Sequence, residues 1–209
     1  MGGSSLLNRA AHYLANESGR DVEIILFGLR LFLTSISGYI ALIIIALLLR
    51  ILPYVLAAAI TASVFRIFSG GAHASSPLRC NLIGVSVFSV FGYLVKMYFH
   101  PNYNYTLLIS IPIIMFLVGF YIIYRYVPAE TPGKPISSQL QRRYLRIISF
   151  SLLTVWGIVS LWELSFVVEI IGRKMILSSC LGMAWQLFTL TPLGYRVVGK
   201  MDALLKHFT

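Results

Sequence analysis

One histidine and one cysteine, His73 and Cys80, stand seven residues apart in RIFSGGAHASSPLRC, the segment from Arg66 to Cys80. A thiol beside an imidazole is a nucleophile and its base: the thiolate attacks, and the ring takes the thiol's proton. In one straight helix the two would lie about 10 Å apart, too far for proton transfer. The sequence interrupts that helix. Gly70 and Gly71 permit turns closed to other residues, and Ser75, Ser76 and Pro77 read as an N-terminal cap followed by a proline in the first turn of a new helix. Cys80 then falls in an opening turn, where the helix N-terminus, Arg79 and a folded-back Arg66 favour an anion on sulfur and early amides can hold an oxyanion. Two such ligands do not make a tetrahedral zinc site, so neither metal nor cofactor is expected.

Taken without context, the pair reads first as an interfacial histidine beside an inert buried thiol, and it is the setting between membrane helices that favours a working site. The second cysteine, Cys180, lies inside an apolar run and reads as packing, and a disulfide between the two is not expected. Glu17, Asp21 and Glu23 border the start of the first long apolar run, yet nothing in the sequence selects one of them to orient His73.

The elements that must position the pair are membrane helices. Of 209 residues, 58% are hydrophobic and 11% charged, and the mean hydropathy is +0.83, more apolar sequence than a soluble core can hide. The runs Ile24 to Leu49, Ile51 to Phe65, Leu82 to Phe99, Leu107 to Tyr124, Ile147 to Val168 and Met175 to Leu193 predict six crossings in one integral membrane domain, 1–209. Before them, residues 1–20 lack the apolar core of a cleavable signal, and Leu6, Leu7, Ala10, Tyr13 and Leu14 predict an amphipathic helix lying in the interface. The fold class is therefore an all-α bundle with an interfacial N-terminal helix and a recessed polar loop.

The formal charge of +10 does not point to nucleic acid, because the Lys and Arg residues sit at the ends of apolar runs rather than along one face. Of 17 such residues, only Arg50, Lys96, Arg173 and Lys174 fall on one side when the N-terminus is placed inside. This asymmetry puts both termini, the 66–80 loop and the 125–146 loop on the cytoplasmic side. In that second loop Pro128, Pro132, Gly133 and Pro135 exclude a helix; Ser137 or Ser138 then caps the next one, whose first turns carry Arg142, Arg143 and Arg146. The second apolar run is short, about 22 Å against a hydrocarbon core of about 30 Å, so the loop after it is expected to sit recessed.

RIFSGGAHASSPLRC resembles the signature of the accessory gene regulator B (AgrB) family, membrane cysteine endopeptidases of Gram-positive quorum sensing. VPAETPGKPI with the basic helix after it, and TLTPLGYR near the end, are similar to further family segments in order and spacing. The resemblance implies Cys80 as nucleophile, His73 as base, and Arg66 and Gly71 as residues the site requires; Gly70, Arg79, Arg142, Arg143 and Arg146 are expected to support it on their own chemistry and placement. It implies a substrate of the AgrD propeptide type, with an amphipathic leader on membrane lipid and an acidic tail that is removed, and a homodimer, for which the sequence displays no interface. Two other readings remain: a small transporter or channel subunit with a re-entrant polar loop, and a scaffold presenting basic loops to acidic partners. A recessed loop predicts that cysteines introduced singly from Ser69 to Arg79 react unevenly with a bulky membrane-impermeant maleimide; uniform labelling would place the loop in open water.

Overall fold

The computed structural model describes residues 2–99, 104–130, 138–166 and 169–207, with the side chains of residues 2–5 left aside. Among these residues every extended element is a helix: α1 (Gly2–Ser18), α2 (Val22–Leu48), α3 (Leu52–Ser69), α4 (Pro77–Tyr98), α5 (Tyr105–Tyr126), α6 (Gln139–Phe166), α7 (Ile170–Leu190) and α8 (Pro192–Lys206). Helices α2 to α6 are each long and apolar enough to cross a membrane, and α7 joins them as a sixth when it is taken together with α8, from which it is bent by 94°. The protein is thus a multi-pass, all-α membrane protein. Large apolar side chains such as Phe27, Ile40, Leu117 and Trp162 face outward, as a lipid solvent permits.

Hydrogen bonds between ends fix the order of the bundle. Asn81 on α4 donates to the Thr34 carbonyl of α2 at 2.5 Å, and Ala72 just after α3 donates to the Thr189 carbonyl of α7 at 2.9 Å. At the opposite end Lys96 of α4 donates to Leu49 O and Lys174 of α7 to Lys96 O. One end of the bundle therefore holds the 66–80 segment, the end of α5, the start of α6 and all of α8. At its centre α3 packs on α7, where a Cβ on Gly182 would collide with the Ala58 carbonyl, a backbone approach that only small residues allow.

Three expectations from the sequence change. The second crossing does not stop at Phe65: α3 continues to Ser69, because Arg66 turns inward to partners instead of ending the helix in water. Its 18 residues span about 27 Å, so shortness alone does not recess the loop. The basic tail after Leu190 forms an amphipathic helix, α8, entered through Pro192 at its first turn and capped by the Thr191 hydroxyl, which accepts from Gly194 N at 3.1 Å. Ser76 does occupy the cap position of α4, but its side chain makes no capping bond. Pro132, Gly133, Pro135 and Ser137 lie outside the described residues, whereas α6 starts directly after Ser138.

Gly182→Leu is expected to destabilise the protein by about 1–3 kcal/mol, the usual result of overpacking, seen as a lowered midpoint of thermal unfolding in detergent. Gly28→Ala, with nothing within 4 Å of its Cβ position, is expected to leave the midpoint unchanged.

Candidate active site

The segment between α3 and α4 begins with two glycines in conformations that side chains resist. Gly70 has φ 76° and ψ −149°, and Gly71 has φ 133°, regions open essentially to glycine. Space adds to the constraint: a Cβ on Gly70 would strike the Ala129 carbonyl, and one on Gly71 would lie 2.8 Å from Thr189 Oγ1. The chain between α5 and α6 lies against this turn, with Ala129 N–H donating to Ser69 O at 2.9 Å.

Arg66 organises the chain on either side of this turn. Its guanidinium donates to Gln186 Oε1 at 3.1 Å, to Thr189 Oγ1 at 3.3 Å and to the carbonyl of Ala72. Gln186 in turn donates from Nε2 to Ser69 Oγ at 3.0 Å and to Gly70 O at 2.7 Å. Gln186 and Ser69 are 0% exposed and Thr189 is 1%; an orphaned amide or hydroxyl there would be costly, and none is orphaned. Ala72 is held from both sides, by Arg66 on its carbonyl and by Thr189 O on its N–H. The next residue is His73.

So held, His73 presents Nδ1 to Cys80 Sγ at 3.9 Å, a loose contact. Cys80 sits on the fourth residue of α4, where its amide donates to Ser76 O at 3.0 Å. Its own amide is thus occupied, whereas first-turn N–H groups such as that of Leu78 have no acceptor within the helix. One edge of His73 meets solvent, but protein on its other side, with the Arg66 charge adding to the effect, pushes the imidazole down from its usual 6.5 to about 4. At neutral pH the ring is therefore uncharged and able to accept a proton, and the imidazolium it becomes gives the proton up more readily than an ordinary one.

The structure brings Cys80, His73, Arg66, Gly70 and Gly71 into one site. Arg79 is close, but its charge is directed elsewhere: Nε pairs with Asp202 Oδ1 of α8 at 2.7 Å, and Ser75 Oγ donates to Asp202 Oδ2 at 2.7 Å. Arg142 pairs with Glu130 and Arg146 donates to Val127 O, so both brace the strip that carries Ala129, while Arg143 is exposed. Cys180 is buried and, like Cys80, a free thiol. Glu17 and Glu23 do not join His73, and Asp21 caps α2 instead. Gln186, Thr189 and Asp202 were missed in the sequence. A glutamine in an apolar run is the signal that was available, because a polar side chain at membrane depth demands a partner.

A bundle of membrane helices with a cysteine–histidine pair pinned at one end defines a class of multi-pass membrane protein with a candidate thiol active site. The chain belongs to the Accessory gene regulator B family, whose match covers residues 7–190. It is 29% identical over 203 residues to a putative AgrB-like protein of Clostridium perfringens strain SM101, covering 96% of this chain and 95% of that one. It is also 30% identical over 130 residues to the accessory gene regulator protein B of Staphylococcus aureus strain MW2, covering 61% of this chain and 66% of that one, and 28% identical over 176 residues to its Staphylococcus epidermidis counterpart, 83% and 87% covered. No solved structure matches.

With His12, His100 and His207 replaced by glutamine, the remaining histidine is expected to titrate near pH 4 by nitrogen NMR in micelles. The depressed value means that the neutral ring persists through pH 5 and is lost only as pH falls through about 4. A midpoint at or above 6.5 would contradict the desolvated environment of the ring.

Proposed function

We propose that this protein is a membrane cysteine endopeptidase of peptide quorum sensing, which trims and cyclises a small propeptide of the AgrD type. The observation that carries the reading is the 3.9 Å approach of His73 Nδ1 to Cys80 Sγ, supported by membership of the family. Both termini and the site end of the bundle face the cytoplasm in this reading. Among the described residues, Arg50, Lys96, Arg173 and Lys174 are the basic ones at the other end, and the more basic end, with its exposed Arg143, attracts an acidic tail.

In the mechanism, Cys80 attacks the carbonyl of the bond between the future ring and the tail while His73 takes the thiol proton through Nδ1, which requires the resting ring proton on Nε2. The carbon–nitrogen bond breaks, His73 passes its proton to the leaving amine, and the tail departs, leaving a thioester on Cys80. A thiol or hydroxyl within the bound peptide then gives its proton to His73 and attacks the thioester. The new thiolactone or lactone bond forms, the enzyme's carbon–sulfur bond breaks, and the proton returns to sulfur. Holding the internal nucleophile beside the thioester while limiting water makes cyclisation faster than hydrolysis.

Coexpression with a cognate propeptide, combined with mass measurement, tests this. Tail removal is expected to vanish in Cys80→Ala, to fall by roughly 10²–10⁴-fold in His73→Ala, the usual contribution of a general base, and to survive Cys180→Ala. Cleavage that persists in Cys80→Ala would overturn the proposal.

A further inference from the structure

Beside the reactive pair a cavity of about 260 Å³ opens into the bundle between α2, α3 and α4. His73 and Cys80 lie at its mouth, and Leu42, Ala59, Val85 and Phe88 line it further in. Cys80 and Phe88 are eight residues apart on one helix, so the cavity reaches about 12 Å along α4. Space exists because small residues face it: a Cβ on Gly84 would meet nothing closer than Phe88 at 3.9 Å.

We infer that this cavity is the pocket for the side chain on the acyl side of the scissile bond, and that it selects a bulky apolar residue there, aromatic or branched aliphatic. The inference rests on the reading of Cys80 as nucleophile and adds the substrate preference of that site. Three observations carry it. The cavity is continuous with Cys80, so whatever is esterified to the sulfur has its side chain at the opening. Of the ionisable groups lining it, Arg66, His73 and Cys80 belong to the reactive end, and the Tyr39 hydroxyl is occupied by donating to Ser63 Oγ at 2.7 Å. Past Arg66 and His73 at the mouth, a charged side chain would be stripped of water without a partner, so the deeper part of the cavity suits an apolar side chain of the acyl portion and not one of an acidic tail. Finally, the volume exceeds the ~150 Å³ of an apolar cavity known to stay dry and accept a benzene ring, so a phenyl or leucyl group fits. A filled pocket also shields the thioester from water during ring closure.

The test uses the full-length protein in lipid vesicles and N-acetyl aminoacyl chloromethyl ketones that differ only in side chain, Phe, Leu, Ala or Asp; the sulfur displaces chloride to form a thioether that mass spectrometry locates. The Phe and Leu probes are expected to label Cys80 roughly 100-fold faster than Ala, within the range that hydrophobic pockets achieve, with Asp slowest. Gly84→Leu, which fills the cavity, is expected to collapse the Phe-to-Ala ratio, and Phe88→Ala, which enlarges it, to admit a naphthyl probe that the unaltered protein rejects. Equal rates for all four probes would overturn the pocket while leaving Cys80 a nucleophile. Failure of every probe to label Cys80 would instead overturn the reading beneath it. A diazirine-bearing phospholipid that crosslinks to Phe88 and is not displaced by the Phe probe would assign the cavity to lipid and overturn the inference.

Discussion

Arg66 brings a positive charge to the end of a membrane helix, and each of its described hydrogen-bond partners is neutral: the Gln186 amide, the Thr189 hydroxyl and the Ala72 carbonyl. A guanidinium at such depth has to be satisfied by hydrogen bonds, and meeting that demand ties three separate stretches of chain together. The end of α3, the loop after it and the end of α7 cannot move independently. The same arrangement leaves the charge without a carboxylate among the described residues, so its field is felt by His73.

From this hub the rest of the site is built in short steps. Ala72 is fixed, so His73 is fixed; the glycine pair makes the turn that brings the ring back toward α4, and Pro77 starts the helix that carries Cys80. Helix α8 covers the loop from outside: Val198 joins Ala72 and Ile83 in one apolar cluster, while Asp202 anchors Ser75 and Arg79. Rigidity around a loosely touching pair suits chemistry in which the base must be neutral before attack and a good acid after it.

The approach of His73 to Cys80, the glycine turn and the new helix after Pro77 were legible in the sequence because each depends on local rules: what glycine permits, where proline sits in a helix, how long an apolar run is. The lateral partners were not. Gln186 and Thr189 lie more than a hundred residues from Arg66, and hydropathy records them only as interruptions in a crossing. Arg79 and Arg142 show the complementary failure, since the sequence displays their charge but not the carboxylates of Asp202 and Glu130 that engage it. The end of α3 is obscured for a related reason: an arginine reads as the edge of the membrane, whereas its inward partners let the helix continue.

The central claim is that the forked geometry of Arg66, and not its charge alone, holds the loop that puts His73 on Cys80. Lysine keeps the charge but cannot reach three acceptors in a plane. The rate at which iodoacetamide alkylates Cys80 in lipid vesicles at neutral pH, compared between the unaltered protein, Arg66→Lys and Arg66→Gln, tests this directly. The account predicts that both variants slow by about tenfold or more, equivalent to about 1.4 kcal/mol, and by similar amounts. An Arg66→Lys protein that alkylates at the unaltered rate would show that charge suffices and would contradict it.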